Sequence, residues 1–347
     1  MNSENTSLFP SKDNFMQPVE LRATFPMELH DGHYATTTEV WSMLSAARAG
    51  DLATVRSIVE CNPAMVRCEH NYMPPLQLAV REGHTAIAAY LLEHGAYDPK
   101  FETYPFRESI HQMAQDREFT AIASLLEKHR VAERPRGTSV HGPGHIDFTS
   151  DPAEPDRQNL EKLINADALT DVEALAEARP GLVTDPLLFW GEGALAMSTN
   201  RGRERMIELL LRLGARVPDV AKWAPYYYFK HLEVAQLLIN AGMSARHTNW
   251  HRTTLLHSMA WLGDAPKVTL LLDHGAEIDA IDDEFRSTPL GLAAKAGRMP
   301  IVRLLLERGA DPNKSGAGWA TPAAWARKRG HTEIHAELRQ AGASDSL

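Results

Sequence analysis

The chain has 347 residues, a formal net charge of −9 and a sequence pI near 6.0. An acidic balance of that size argues against a nucleic-acid backbone or an anionic membrane as the main partner. Two cysteines, Cys61 and Cys68, exclude a disulfide framework, and neither a signal-type start nor an 18-residue apolar run occurs, so a reduced, soluble, cytoplasmic protein is expected.

Residues 1–38 read as an irregular arm. Its Phe9-Pro10, Phe25-Pro26 and the cluster from Glu28 to Tyr34 are more apolar and aromatic than a solvated tail needs, so the arm is expected to lie against the helices C-terminal to it. Thr36 to Thr38 with Glu39 form a capping-type entry to a helix around residues 41–49. From Gly50 to Gly342 one helix-turn-helix pattern then recurs about nine times. The period is clearest at the end, where Gly263 and Gly275, Gly297 and Gly309, and Gly330 and Gly342 each stand 12 apart and the pairs recur at 34 and 33. Each first segment is a short small-residue helix. Each second segment carries apolar residues at i, i+3 and i+4 and closes on a glycine, as a half-buried helix does.

Thr288-Pro289-Leu290, Ala293-Ala294, Gly297, Ile301-Val302, Leu304 to Leu306, Gly309-Ala310-Asp311 and Asn313 resemble an ankyrin repeat, and His257 stands at that family's TPLH histidine. Gly83 to Gly95 and Gly202 to Gly214 fit the same frame. Gly50 to Asn62, Glu118 to Arg130, Asp167 to Arg179 and Lys230 to Gly242 fit it with altered anchors. The resemblance implies an all-α repeat solenoid of helix pairs and β-turn fingers, with repeats over 39–130 and 157–347. As a fold it names no chemistry.

The period fails in two places. Between Glu118 and Asp167 the interval is 49, and the surplus, residues 131–156, is rich in proline and glycine. It is either a flexible linker or a loop folding back over the groove. Between Gly214 and Gly242 the interval shrinks to 28, and this stretch holds Trp223, Pro225 and the run Tyr226 to Phe229. Four consecutive aromatics do not fit one helix stripe, so some rings pack under the inserted loop or face a ligand.

The fingers depart from the small polar turns of the family. They contain Tyr72, Tyr104, Phe106, Arg107, Trp190, Trp250, His251, Arg252, Phe285, Arg286 and Trp319, which with Tyr226 and Tyr227 form a candidate ligand-binding strip or fill gaps between neighbouring fingers. Five histidines, His84, His94, His257, His274 and His331, are explained by the repeat. His30, Asp31, His33, His70, His141 and His145 are not, and these are the candidate acid–base residues if arm and loop cross the groove. No metal site is expected, since the glutamate in His331-Thr-Glu-Ile-His335 is misplaced for a zinc helix, and no cofactor is expected, since Gly-rich phosphate loops and nucleophile elbows are missing. Cys61 ends a repeat helix and is expected to be buried.

Two functions are compatible with this pattern. The first is a module gripping a partner protein through the concave groove and aromatic finger tips. The alternative is an enzyme, a lyase or hydrolase, or a binder of a small polar molecule such as a sugar, with a His/carboxylate site in a groove closed by the arm and the 131–156 loop.

Overall fold

The computed structural model describes residues 17–96, 102–103, 106, 108–129 and 144–344, and of Asp31 the backbone only. Tyr104, Arg107 and His141 therefore lie outside the described residues. The arm forms a small antiparallel hairpin, β1 (Pro26–Glu28) and β2 (Tyr34–Thr36), with Met27 opposite Ala35. Thr36 caps the first helix through a capping box with Glu39. The end of the inserted loop joins the other edge of β1: the Gly144 and Asp147 amides donate to Glu28 and Pro26 carbonyls, each at 2.8 Å, and Ile146 pairs with Met27. Phe25 and Phe148 meet edge to face at 4.9 Å and close this corner.

The α-helices run in consecutive pairs: α1 (Thr37–Ala49) with α2 (Leu52–Cys61), α3 (Pro75–Glu82) with α4 (Thr85–Glu93), and α5 (Ile110–Asp116) with α6 (Thr120–His129). After the insertion come α7 (Glu154–Ala166) with α8 (Leu169–Ala178), α9 (Ala196–Asn200) with α10 (Glu204–Arg212), and α11 (Ala224–Tyr227) with α12 (Leu232–Asn240). The last three pairs are α13 (Leu255–Leu262) with α14 (Ala265–Asp273), α15 (Pro289–Lys295) with α16 (Met299–Glu307), and α17 (Pro322–Lys328) with α18 (Thr332–Gln340). Among the described residues this is an all-α solenoid with one small hairpin.

The repeat histidines hold successive pairs together. His84 donates from Nε2 to the Arg48 carbonyl at 2.8 Å, His331 to that of Lys295 at 3.3 Å and His257 to that of Ser287 at 3.1 Å. His94 and His274 donate from Nδ1 to carbonyls one turn back, each at 2.8 Å. His231 does for Asn200 what His84 does for Arg48, a role its sequence context did not advertise. Where an anchor glycine is replaced, Glu118 and Asp167 take up the left-handed turn themselves, at φ 63° and 62°.

One boundary and one burial differ from the expectation. Helix α7 starts at Glu154, inside the expected loop, because Pro155 occupies the first turn, where a missing N–H costs nothing. Cys61 is exposed and Cys68 is buried: α2 turns Val55 and Val59 inward, and Cys61 falls on its outer side.

The array also closes on itself. The finger before α15 carries Asp282-Asp283-Glu284, and it enters the inner side of the first three pairs. Arg48 at the end of α1 reaches Asp283 at 3.4 Å, Arg81 of α3 reaches Glu284 at 3.3 Å, and Arg117 after α5 donates to the Glu284 carbonyl. In the opposite direction Lys295 of α15 pairs with Glu108, and Arg329 after α17 pairs with Asp116 at 2.5 Å. Phe106 is inserted edge-on between Trp261, at 5.0 Å, and Phe285, at 4.6 Å. Lys295 lies 4.1 Å from the Trp325 ring centroid, so its buried charge has both carboxylates and rings for company. The inner helices α1, α3, α5, α15 and α17 thus face other parts of the same chain.

Asp283 holds Arg252 at 2.6 Å and Arg286 at 3.8 Å as well as Arg48. Asp283→Ala removes the carboxylate that three guanidiniums share and leaves Glu82 beside two of them, and it is expected to lower stability in urea denaturation by about 3 kcal/mol. Arg212→Ala, which breaks an exposed pair with Glu173, is expected to cost under ~1 kcal/mol. Equal small effects would contradict a closed array.

Candidate functional site

Closure decides where the finger residues go. Among the described residues eight non-glycine residues have positive φ, and six of them are on fingers: Asn71, Tyr72, Phe189, Trp190, Arg252 and Arg286. A bulky residue in this region is an outlier costing on the order of 1–3 kcal/mol, and it persists only where its surroundings fix it. For Arg252 and Arg286 the reason is visible, since both turn into the Asp283 cluster, Arg286 also reaching Glu82 at 2.7 Å. Phe189 is buried in the core. Tyr72 (φ 61°) and Trp190 (φ 55°) are different: they are 56% and 61% exposed, so burial of their rings offsets little of the strain.

Both rings stand on one cleft of about 440 Å³. It is built by the arm (Glu20), the first finger (His70, Asn71, Tyr72, with Glu69 just before it), the end of the inserted loop (144–146), Trp190, and the shortened finger with Lys222 and Trp223. Tyr72 meets Trp223 edge to face at 6.0 Å, and Trp223 meets Tyr226 at 6.1 Å. Gly191, at φ 83°, lets the arm close in: a Cβ there would stand 2.8 Å from a Glu20 carboxylate oxygen. Gly144 does the same for the loop, where a Cβ would come within 3.2 Å of the Glu69 carbonyl.

The floor is charged and mostly desolvated. The Lys222 ammonium pairs with Glu20 and donates to the Trp190 carbonyl at 2.5 Å. His70 Nε2 stands 3.3 Å from the same Glu20 carboxylate. Burial pushes the Glu20 carboxyl up, but His70 and Lys222 together outweigh it and bring it down to about 2. Burial holds His70 below its ordinary value, against the pull of Glu20. Behind the floor Glu192 accepts the Lys222 amide at 3.0 Å and the Trp223 amide at 3.4 Å, fixing the shortened finger. Burial raises its carboxyl to about 7, with Lys222 opposing the shift.

Of the candidate acid–base residues, the structure brings His70 and His145 to the cleft and places His30 3.4 Å from the cleft residue Glu69. His33 is exposed on the hairpin and takes no part in the cleft lining. His70 is buried against Glu20 and the edge of Trp250, 5.7 Å away, so it shapes the floor and presents no open base. The candidate binding strip divides. Tyr72 and Trp190 reach the cleft, and Tyr226, half-buried like Tyr227, backs it through Trp223. Trp250, His251 and Phe285 do not reach it: at 1%, 7% and 1% exposure they are interior, because closure drives their fingers into the opposite pairs. Phe106 fills the same aromatic cluster, Arg252 and Arg286 are committed to ion pairs, and Trp319 lies under Arg117 at 5.0 Å. The reading of these as groove-facing ligand residues is corrected accordingly. Glu20, Lys222 and Glu192 were missed. Glu20 sits in an arm with no period, and Lys222 and Glu192 read as ordinary surface charges.

The raised Glu192 carboxyl has a consequence for stability. Titrating near 7 when folded and near 4.5 when unfolded, it makes the native state bind more protons between those values, so stability falls as pH rises from about 4.5 to about 7. Glu20, held near 2, contributes fully and evenly only from about one pH unit above its unfolded value and loses a little of its contribution towards pH 4.5. Glu192→Gln keeps an acceptor for both amides and removes the titration. Relative to wild type it is expected to gain about 2 kcal/mol between pH 5 and 7.5 in denaturant titrations. Parallel profiles would contradict the assignment.

Among the described residues no group of three or more His, Cys, Asp or Glu is placed to hold a metal ion, and no helix is long and apolar enough to cross a membrane. A family model for ankyrin repeats in three copies matches residues 256–345, and one for a single ankyrin repeat matches 71–102. The chain is 35% identical over 94 residues to palmitoyltransferase ZDHHC13 of Mus musculus, covering 27% of this chain and 15% of that protein. It is 47% identical over 60 residues to 2-5A-dependent ribonuclease of Mus musculus, covering 17% of this chain and 8% of the relative. Against the ankyrin repeat and KH domain-containing protein mask-1 of Caenorhabditis elegans it is 32% identical over 148 residues, 41% of this chain and 6% of that protein. The chain thus spans less than a sixth of the length of each of these three, and the similarity is one of repeats. Ankyrin repeats imply an interaction role in general. Ankyrin repeats are thus detected in this chain over residues 71–102 and 256–345.

Proposed function

We propose that this protein recognises a small polar organic molecule in the cleft between its arm, its first finger, the 144–146 segment and the fingers around Trp190 and Lys222. The observation that carries this reading is the pair Tyr72 and Trp190: two aromatic residues in left-handed backbone whose exposed rings flank a cavity with a charged floor. A cavity of about 440 Å³ falls in the range of small-molecule sites, which combine apolar walls with a few fixed polar groups. The buried position of His70 favours binding over acid–base catalysis. A second reading, a partner protein docking on Tyr72 and Trp190, is favoured by their exposure, because protruding aromatic rings are common anchors at interfaces.

The test is a thermal-shift screen of the full chain against a panel of sugars, amines, amino acids and carboxylates, repeated with Trp190→Asn. Asparagine tolerates the left-handed backbone better than tryptophan, so the variant removes the ring without disturbing the finger. At least one compound is expected to raise the melting temperature of wild type by several degrees and to leave the variant unmoved. No shift with any compound, or equal shifts in both proteins, would count against the cleft and in favour of the protein-docking reading.

A further inference from the structure

The charge and ring chemistry of the cleft define its ligand more narrowly, on the premise that the cleft is the binding site. Among the described residues its lining contains two carboxylates, Glu20 and Glu69, one ammonium, Lys222, and the imidazoles of His70 and His145. Lys222 is already committed to Glu20 and to the Trp190 carbonyl, with its side chain 8% exposed, so it offers little to an incoming anion. Glu69 lines the cleft with its side chain 14% exposed, in a partly desolvated position, and has His30 at 3.4 Å as neighbour. An anionic ligand would meet Glu69 while the cleft's ammonium is held elsewhere. A cation would meet a carboxylate in a medium where charge pairing counts for more than in water.

The walls agree with the floor. Tyr72, Trp190 and Trp223 line the cleft, and the perpendicular packing of Tyr72 on Trp223, 75° between ring planes, forms an aromatic corner. Ring faces attract cations through their quadrupoles, most strongly when the cation carries little hydration and the site excludes water. A carboxylate beside aromatic faces therefore selects a protonated or quaternary amine over a neutral polyol of similar size. We propose that the cleft binds a small molecule bearing an ammonium group, held between the Tyr72, Trp190 and Trp223 rings with Glu69 as its counter-charge.

The experiment is tryptophan-fluorescence titration of the full chain, which reports on Trp190 and Trp223, with four probes: choline, its neutral isostere 3,3-dimethylbutan-1-ol, methyl glucoside, and a short peptide containing trimethyllysine. Choline is expected to bind at least tenfold more tightly than the neutral isostere. Glu69→Gln is expected to erase most of that preference, and Tyr72→Asn, at an exposed ring in left-handed backbone, to weaken choline several-fold while leaving the melting temperature near wild type. Equal affinity for choline and its isostere would overturn the proposal, as would binding of methyl glucoside alone, which leaves the cleft reading intact. Binding of the peptide without choline would overturn the small-molecule assignment and point to a protein carrying the cation. If no probe changes the signal up to solubility, both the ammonium assignment and the cleft as a ligand site fail for this class.

Discussion

The structure depends on the burial of one acidic finger against arginines from the far end of the chain. Asp283 and Glu284 meet Arg48 and Arg81 across more than 200 residues of sequence, and Arg117 closes on the Glu284 carbonyl. Each side carries part of its own counter-charge, Glu82 beside Arg48 and Arg81 and Arg252 and Arg286 beside Asp283, and separating the two would leave the remaining buried charges without partners. Together they turn what would be two facing grooves into an interior. Asp282, whose carboxyl burial raises to about 6, accepts the Phe285 and Ser287 amides at 3.1 Å each and so shapes the finger that carries the acidic pair inward.

That closure assigns roles to the rest. Fingers late in the array give up their aromatic rings to the interior, where Phe285, Trp325, Trp261 and Phe106 pack mostly edge to face around Lys295. Fingers in the middle and at the start meet the arm and the inserted loop instead, and there two rings stay exposed. The arm is the keystone of this second junction. Its Leu21, Met27 and Leu29 are fully or almost fully buried in the core of the first pairs, and its Glu20 is the counter-charge for Lys222 on the other side. Displacing the arm would open the cleft and strand an ammonium.

Most of the helical architecture was legible from the period because it rests on local rules. Glycines in left-handed turns, apolar residues three and four apart, threonine caps and carbonyl-binding histidines such as His84 and His257 act within one repeat or its neighbour, and sequence spacing exposes them. The site was legible only in outline. The arm, the insertion and the shortened finger were marked as breaks in the period, and those breaks do meet, with His70 and His145 among them. Closure was not legible, because Arg48, Arg81, Asp283 and Glu284 each sit where a solvated charge is ordinary and only their juxtaposition gives them meaning. For the same reason the finger aromatics looked alike in sequence. Trp250 and Trp190 occupy similar turns, but one is 1% exposed and the other 61%.

Small-angle scattering of the full chain tests closure most directly. A chain of this length folded back on itself should have a radius of gyration of about 20–23 Å, near the scaling for compact domains. An open stack of the same helix pairs at about 10 Å spacing would be roughly 90 Å long, with a radius of gyration near 28 Å. A value in the lower range at physiological salt supports the closed array and with it the interior position of Trp250 and Phe285. A value near that of the open stack would contradict it and return those rings to the surface.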